Sequence, residues 1–442
     1  FDKWGGKGYE YIQKYFGREH INIVTKTAIS QGITMFNHYM GCGGTSWNDL
    51  ASNEVYSSYD FAAPISEAGI PMENFYKAKQ INYFLESFDI TETDLITKDE
   101  DLIEGDNTNL FAVLRKDNKN YCKWLFVRNL NYETKTFTAD NHSVCLKPFD
   151  MKIIPIDLKL YGCTIDFSSL ELFGRISVED DEKVFVIMDK FSYIKISDFD
   201  FLEIFEGANT EKYENSIKIK FDTVPDKDII SCKFSRNNKT TEIVFLKEET
   251  SDKTYIIHNK AIIGPEYLLY DSNKAAFSQD STVKIIEMDD KIKSEYIKTS
   301  FSEISIPQIA EWKSFNCSPE IDNEYDYSNW NIINNPQKMD CISNKVYNEF
   351  IWYKGSFKGN LNRIAIDAKH CYAIYLNETN IFSHDSFYFD HRKELNELIT
   401  VNINHKLLKD HNEITILVQN LGFNKGYQDE PNLPRGILHI ET

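Results

Sequence analysis

The sequence lacks the features that would identify a membrane-spanning or nucleic-acid-binding protein. No apolar run approaches the length that a bilayer-spanning helix needs, so the sequence predicts a globular chain. Basic side chains are in the minority, with 49 Lys and Arg against 68 Asp and Glu and a net charge of −19. Because nucleic acid and anionic membrane surfaces are bound through clustered Lys and Arg, we expect neither as a partner.

Metal-binding and targeting patterns are missing as well. The eight cysteines form no C-x-x-C pair and have no histidine at zinc spacing, so the sequence predicts no metal site. Buried thiols are the expectation, and the even number leaves disulfide bonds possible. The chain opens on Phe1 with neither an initiator Met nor an apolar signal region, and we therefore expect it to be part of a longer polypeptide.

Four N-x-S/T sequons are present, at Asn141, Asn238, Asn316 and Asn377. Such triplets arise by chance in a chain this rich in asparagine. They therefore do not decide whether the protein is secreted.

The apolar content, 42% hydrophobic and 14% aromatic residues, is ample for more than one core in a chain of 442 residues. Residues 17–32 are predicted as a helix that ends at Gly32, residues 33–39 as a strand, and the segment after Pro71 as a second helix. The predicted buried stripes are Ile21, Val24 and Ala28 on the first helix and Phe75, Ala78, Ile81, Leu85 and Phe88 on the second.

From about residue 91 the pattern changes to short β runs between polar turns, which is typical of antiparallel sandwiches. The predicted strands of this region are 111–115, 123–129, 152–157, 183–188, 217–221, 241–246, 254–258 and 283–287. An aromatic segment from Trp312 to Trp330 opens the last region, whose predicted strands are 350–357, 363–367, 372–376, 398–403 and 413–419. These last strands predict a jelly-roll module.

One stretch, residues 36–69, has the composition of a binding site. Gly41, Gly43 and Gly44 end the predicted strand, since glycine takes positive φ or permits close backbone approach at little steric cost. The neighbouring side chains would then lie at the C-terminal mouth of a strand, where α/β proteins bind ligands. Aromatic residues such as Tyr39 and Trp47 suit a sugar ring, although core aromatics beneath a long loop would give the same pattern.

Three motifs in the first 70 residues occur at a specific separation. They are F-D-K-W-G-G at 1–6, Tyr39 with G-G-T-S-W at 43–47, and S-Y-D-F-A-A-P-I-S-E-A-G at 58–69. Together they resemble glycoside hydrolase family 35, the β-galactosidases, and the opening motif resembles the multidomain fungal-type branch. The segments W-Y-K-G-S-F at 352–357, I-Y-L-N at 374–377 and P-R-G at 434–436 are similar to the galactose-binding-like jelly rolls of that family.

The resemblance implies a multidomain fold. Residues 1–90 would be the C-terminal remnant of a (β/α)8 TIM barrel, residues 91–305 all-β sandwich domains, and residues 306–442 a galactose-binding-like jelly roll. A whole barrel takes about 250 residues. The family's two catalytic glutamates would therefore lie upstream of Phe1, with the nucleophile directly before it. Asp2, Asp60 and Glu67 match neither position, so we expect no catalytic residue in the chain and no activity from it alone.

The resemblance also assigns five residues to substrate binding. Tyr39 would face the galactose and orient the nucleophile, although a buried structural tyrosine is the alternative. Phe61 replaces a family tyrosine, which removes one hydrogen bond worth about 0.5–1.5 kcal/mol. Trp4 would lie near the pocket floor, and Trp47 and Tyr59 in its wall.

Two functions of different class follow. The first is the C-terminal part of a β-galactosidase that hydrolyses β-galactosides or galactose-containing oligosaccharides, with no cofactor because paired carboxylates need only water. The second is a non-catalytic carbohydrate-binding or structural β-domain protein from a truncated gene. We expect a monomer, and the resemblance favours a secreted or extracellular location.

Overall fold

The structure is a computed structural model that describes residues 15–45, 58–59, 62–97, 102–105, 108–118, 121–257, 259–269, 274–276, 283–287, 292–295, 311–314, 318–335, 339–346, 348–369, 371–384, 398–419 and 434–442. The chain divides into two compact units. The first unit comprises Gln13–Cys42 and Ala62–Glu303, and the second unit comprises Phe1–Ile12, Gly43–Phe61 and Ile304–Thr442. The predicted domains 1–90, 91–305 and 306–442 stay predictions.

The described helices are α1 (Arg18–Ser30), α2 (Glu73–Phe88) and α3 (Glu248–Asp252), with short 3₁₀ turns at Ile90–Glu92, Pro319–Ile321 and His405–Leu407. α1 ends as predicted, because Gly32 has φ of +94° and its N–H donates to the Ile29 carbonyl at 2.9 Å. A left-handed residue costs glycine little, which makes it a common helix terminator. Both helices predicted between residues 17 and 90 are therefore confirmed.

The described strands are numbered in chain order. In the first part of the chain they are β1 Gly44–Thr45, β2 Ser58–Tyr59, β3 Asp94–Thr97, β4 Glu104–Gly105, β5 Leu110–Lys116, β6 Lys123–Asn129, β7 Lys135–Ala139, β8 His142–Leu146, β9 Asp150–Lys159, β10 Thr164–Ser168, β11 Glu171–Val178, β12 Asp181–Ile187, β13 Ser192–Ser197, β14 Phe201–Glu203, β15 Asn209–Lys212 and β16 Ser216–Phe221. They continue as β17 Ile229–Arg236, β18 Lys239–Leu246, β19 Thr254–Ile257, β20 Lys260–Ile263, β21 Tyr267–Leu269, β22 Lys274–Ala276, β23 Val283–Glu287, β24 Ile292–Glu295, β25 Phe350–Lys358, β26 Arg363–Lys369, β27 Cys371–Leu376, β28 Thr379–His384, β29 Ile399–Asn402, β30 His411–Gln419 and β31 Gly436–Glu441. Every strand predicted from residue 91 onward is observed, with ends shifted by no more than two residues.

The first unit is built on two large sheets. One has eight strands in the order β15-β16-β13-β10-β9-β6-β5-β3, and the other has five in the order β11-β12-β18-β17-β14. One apolar core includes residues of both sheets, such as Phe126 and Phe245, together with Phe84 of α2 and Ile29 of α1. Within these two sheets the described strands pair antiparallel, except for β12 and β18, which run parallel. Smaller sheets, β19-β20-β23-β24, β4-β7-β8 and β21-β22, complete the described part of this unit.

The buried face of α1 differs from the prediction. Val24 is 50% exposed, whereas the buried residues of the helix are Asn22, Thr25, Lys26, Ile29 and Ser30. The side-chain amide of Asn22 donates to Asp150 at 2.8 Å, and the Lys26 ammonium donates to the Met151 carbonyl at 2.9 Å. A polar helix face can be buried when partners on a neighbouring element satisfy it. Partners on β9 therefore decide which side of α1 faces inward.

The predicted strand over residues 33–39 is wrong. Residues 33–38 follow α1 without joining any strand ladder in the described part of the chain. Their apolar side chains are exposed, at 44% for Ile33, 87% for Met35 and 37% for Phe36. A strand is stable only when neighbouring backbone takes up its hydrogen bonds, and none of the described strands pairs with this segment.

Besides the two-stranded β1-β2 ribbon, the described part of the second unit contains two larger sheets, with strand orders β25-β30-β27-β28 and β29-β26-β31. Their inner faces share one apolar core, which includes Ile366 of β26, Ile374 of β27, Ile416 of β30 and Ile437 of β31. Two sheets that bury their facing side chains form a sandwich. The described part of the chain is thus rich in β-sheet with few helices. The assignment of residues 306–442 as a jelly roll stays a prediction.

None of the described helices is both long enough and apolar enough to cross a membrane. Among the same residues, no group of three or more His, Cys, Asp or Glu side chains is placed to hold a metal ion. The thiols of Cys122, Cys163, Cys232 and Cys341 are buried and form no disulfide bond.

Candidate functional site

The candidate site is centred on the turn that follows the extended segment 33–38. Cys42 forms an isolated parallel bridge with Ile65, and the Ile65 N–H donates to the Gly41 carbonyl at 3.1 Å. Ile65 also bridges Pro71, and the Met72 N–H donates to the Pro64 carbonyl at 2.9 Å. The turn at residues 39–42 is therefore held by the second half of the S-Y-D-F motif.

Asn74, in the first turn of α2, fixes this loop to the helix. It is 1% exposed, and its side-chain amide donates to the carbonyls of Ala62 at 2.6 Å and Phe16 at 3.0 Å. Sequence reasoning missed Asn74 because it considered only the apolar stripe of α2. A polar residue at the start of an amphipathic helix, beside a loop whose carbonyls need donors, is the signal that could have identified it.

Tyr39 lies at the exposed end of this arrangement. Its side chain is 68% exposed, which does not match the alternative of a buried structural tyrosine. The neighbouring His38 packs edge-on against Phe36, with ring centroids 5.4 Å apart, and burial lowers the pKa of His38. The ring nitrogen Nε2 of His38 is buried and has no hydrogen-bond partner in the described part of the chain. The segment therefore combines an exposed phenol with an imidazole that is predominantly neutral at pH 7.

Parts of two of the three motifs, residues 44–45 and 58–59, pair within the second unit. Gly44 pairs with Tyr59 and Thr45 pairs with Ser58 in the antiparallel ribbon of β1 and β2. The G-G-T and S-Y-D motifs thus form one local structure, although they are separated along the chain. The side chain of Tyr59 lies outside the described residues, as do Trp4, Trp47 and Phe61. Their assignment to substrate binding stays a prediction.

Comparison with known proteins identifies sequences that are similar to this chain. Residues 1–84 match the family described as Glycosyl hydrolases family 35. A protein of Emericella nidulans described as a probable β-galactosidase A is 23% identical, in an alignment covering 100% of this chain and 51% of that protein. A protein of Talaromyces marneffei described as a probable β-galactosidase C is also 23% identical, with 78% of this chain and 39% of that protein covered.

A third relative, from Aspergillus oryzae and described as a probable β-galactosidase C, is 22% identical over 78% of this chain and 40% of its own length. The chain thus spans about half the length of these curated relatives, or less. The resemblance predicted from the motifs is confirmed: residues 1–84 match glycosyl hydrolases family 35, and the chain is similar to proteins described as probable β-galactosidases.

Proposed function

We propose that the protein containing this chain is a β-galactosidase that hydrolyses terminal non-reducing β-D-galactosyl residues. The observation that carries the proposal is the match of residues 1–84 to glycosyl hydrolases family 35. Relatives described as β-galactosidases support it. The chain covers 51% or less of those relatives, so the proposed activity belongs to a longer polypeptide.

In the proposed mechanism, two glutamates upstream of Phe1 cleave the glycosidic bond with retention of configuration. Their carboxyl groups would be about 5–5.5 Å apart, one protonating the glycosidic oxygen while the other attacks the anomeric carbon. Water then releases the sugar, and no cofactor is needed. Residues 1–90 would supply the last portion of the barrel that carries these glutamates.

Tyr39 is proposed to orient the nucleophilic carboxylate through its hydroxyl. Its position supports this role, because the side chain is 68% exposed while the following turn is fixed to the 62–72 loop. Trp4, Trp47, Tyr59 and Phe61 are also proposed to bind the substrate.

The test is hydrolysis of an aryl β-galactoside by the full product of the reading frame that contains Phe1. We expect turnover by that product and none by the 442-residue chain. In the full product, Tyr39→Phe should lower kcat roughly 10- to 150-fold, because a hydrogen bond to a charged group contributes about 1.5–3 kcal/mol.

Tyr132→Phe is the matched control, since Tyr132 is 88% exposed and lies in the β6–β7 connection. It should leave kcat unchanged. A stop codon or a start codon directly before Phe1, or a full product with no turnover, would favour the non-catalytic carbohydrate-binding or structural protein. Turnover by the 442-residue chain that Tyr39→Phe abolishes would contradict the upstream position of the glutamates.

A further inference from the structure

Three of the four sequons lie in hairpin loops of two residues. Asp140 and Asn141 connect β7 to β8, and their φ angles are +48° and +62°. Asn237 and Asn238 connect β17 to β18, with φ of +51° and +61°. Positive φ at both central residues defines the type I′ turn that suits the twist of a hairpin.

The third hairpin has the same backbone. Asn377 and Glu378 connect β27 to β28 with φ of +46° and +71°. Asparagine tolerates this left-handed conformation better than most residues, and that preference alone explains its presence in all three turns. The backbone therefore does not distinguish an acceptor for a modification from an ordinary turn residue.

The hydrogen bonds of the side-chain amide do distinguish an acceptor from an ordinary turn residue. In Asn377 the amide nitrogen donates to the Leu407 carbonyl at 2.7 Å and to the Asn412 side-chain oxygen at 2.9 Å. The Asn377 side-chain oxygen accepts from the Glu413 N–H at 3.0 Å. This amide is fully committed to joining its hairpin to the neighbouring loop and to β30. A substituent on its nitrogen would break these bonds.

Asn141 and Asn238 are different. Both residues are exposed at the tips of their hairpins. Neither side-chain amide forms a hydrogen bond to another described residue. The hydroxyl residues that complete the two sequons, Ser143 and Thr240, are the second residues of the return strands β8 and β18. A bulky, hydrated substituent at either tip would therefore extend into solvent without disturbing the sheets.

We propose that Asn141 and Asn238 are N-glycan acceptors and that Asn377 remains unmodified in the folded protein. The donor is an oligosaccharide linked through pyrophosphate to a lipid. The amide nitrogen forms a bond to the sugar's anomeric carbon and loses a proton, and the bond from that carbon to the pyrophosphate breaks, releasing the lipid pyrophosphate. Because the transfer precedes folding, a glycan at Asn377 would prevent the 377–412 contact from forming.

The test is site-by-site occupancy in the full product of the reading frame that contains Phe1, secreted from yeast behind a signal peptide. Enzymatic release of glycans in heavy-oxygen water converts each occupied asparagine into a labelled aspartate that mass spectrometry locates. We expect label at Asn141 and Asn238 and none at Asn377. Label at Asn377 in the secreted protein, or its absence from either hairpin tip, would overturn the proposal.

Glycine variants separate the turn role from the acceptor role. Asn141→Gly and Asn238→Gly keep the positive φ that the turns require, and each should increase electrophoretic mobility by one glycan step. Thr379→Ala destroys the third sequon but keeps the Asn377 amide, so it should leave the mobility of the secreted protein unchanged. Unchanged mobility of the two glycine variants would show that these asparagines serve the turns alone.

Discussion

Replacing Glu171 by alanine is expected to lower the free energy of unfolding by about 3–5 kcal/mol. Glu171 opens β11 and forms ion pairs with Lys26 of α1 and with Lys77 of α2, the latter at 3.4 Å. Lys26 is 4% exposed and Lys77 is 6% exposed. Removing the shared carboxylate would leave both ammonium groups buried without their counter-ion. Urea unfolding followed by circular dichroism would measure the loss.

Two controls separate buried charge from lost packing. Glu171→Ala combined with Lys26→Met and Lys77→Met should recover most of the lost stability, because no buried charge is then left unpaired. Glu211→Ala breaks a pair with Lys220 at the surface and should shift the urea midpoint far less. Equal shifts for Glu171→Ala and Glu211→Ala would contradict the prediction that the buried Glu171 carboxylate stabilises the fold more than a surface carboxylate does.

The same carboxylate should make stability depend on pH. Burial raises the pKa of Glu171, but the Lys26 and Lys77 ammonium groups outweigh this effect and hold the pKa well below its usual 4.5. A depressed folded-state pKa means that the contribution is complete above the unfolded value and declines as pH falls below it. The difference between wild type and Glu171→Ala should therefore be constant near pH 7 and shrink below about pH 4.5.

Trp124→Ala is expected to cost about 3–5 kcal/mol of unfolding free energy. Trp124 lies in β6, is 1% exposed, and contacts two phenylalanines of α2. Its ring centroid is 5.4 Å from that of Phe84, in an edge-on arrangement, and 5.7 Å from that of Phe88. Alanine would remove these contacts and leave a cavity between the helix and the sheet. Chemical unfolding of the two proteins would quantify the cost.

Trp124→Phe is the informative companion to this substitution. It keeps an aromatic ring against Phe84 and removes the indole Nε1, which is buried and has no hydrogen-bond partner among the described residues. Its cost should be well below that of alanine. Trp312→Ala, at a residue that is 82% exposed, should have little effect. A cost as large for phenylalanine as for alanine would mean that ring contacts do not dominate at this position.

The β-strands could be predicted from the sequence because their signal is local. β-Branched and aromatic residues between polar turns are sufficient to locate strands such as Lys123–Asn129 and Val283–Glu287, both observed with the predicted bounds. The signal for the end of α1 is also local, since Gly32 alone indicates where this helix stops. Strand order, including the parallel β12–β18 pair, depends on contacts far apart in sequence and was not predicted.

The wrong predictions have a common cause. The inward face of α1 is set by partners more than a hundred residues away, such as Asp150 for Asn22, and an apolar stripe cannot anticipate them. The predicted strand at 33–39 depends equally on a neighbour that its own sequence does not contain. At the candidate site, the motifs predicted that Tyr39 matters, but its exposure and the anchoring by Asn74 required the structure.

The extended segment at residues 33–38 has a consequence for amide hydrogen exchange. Its backbone joins no ladder among the described strands, so its N–H groups should exchange with solvent deuterium faster than those of β6 or β18. A neighbouring strand supplied by a longer polypeptide would slow that exchange by hydrogen-bonding the same groups. Exchange rates at residues 34–38 would therefore show, without any substrate, whether a longer polypeptide supplies a strand that pairs with this segment.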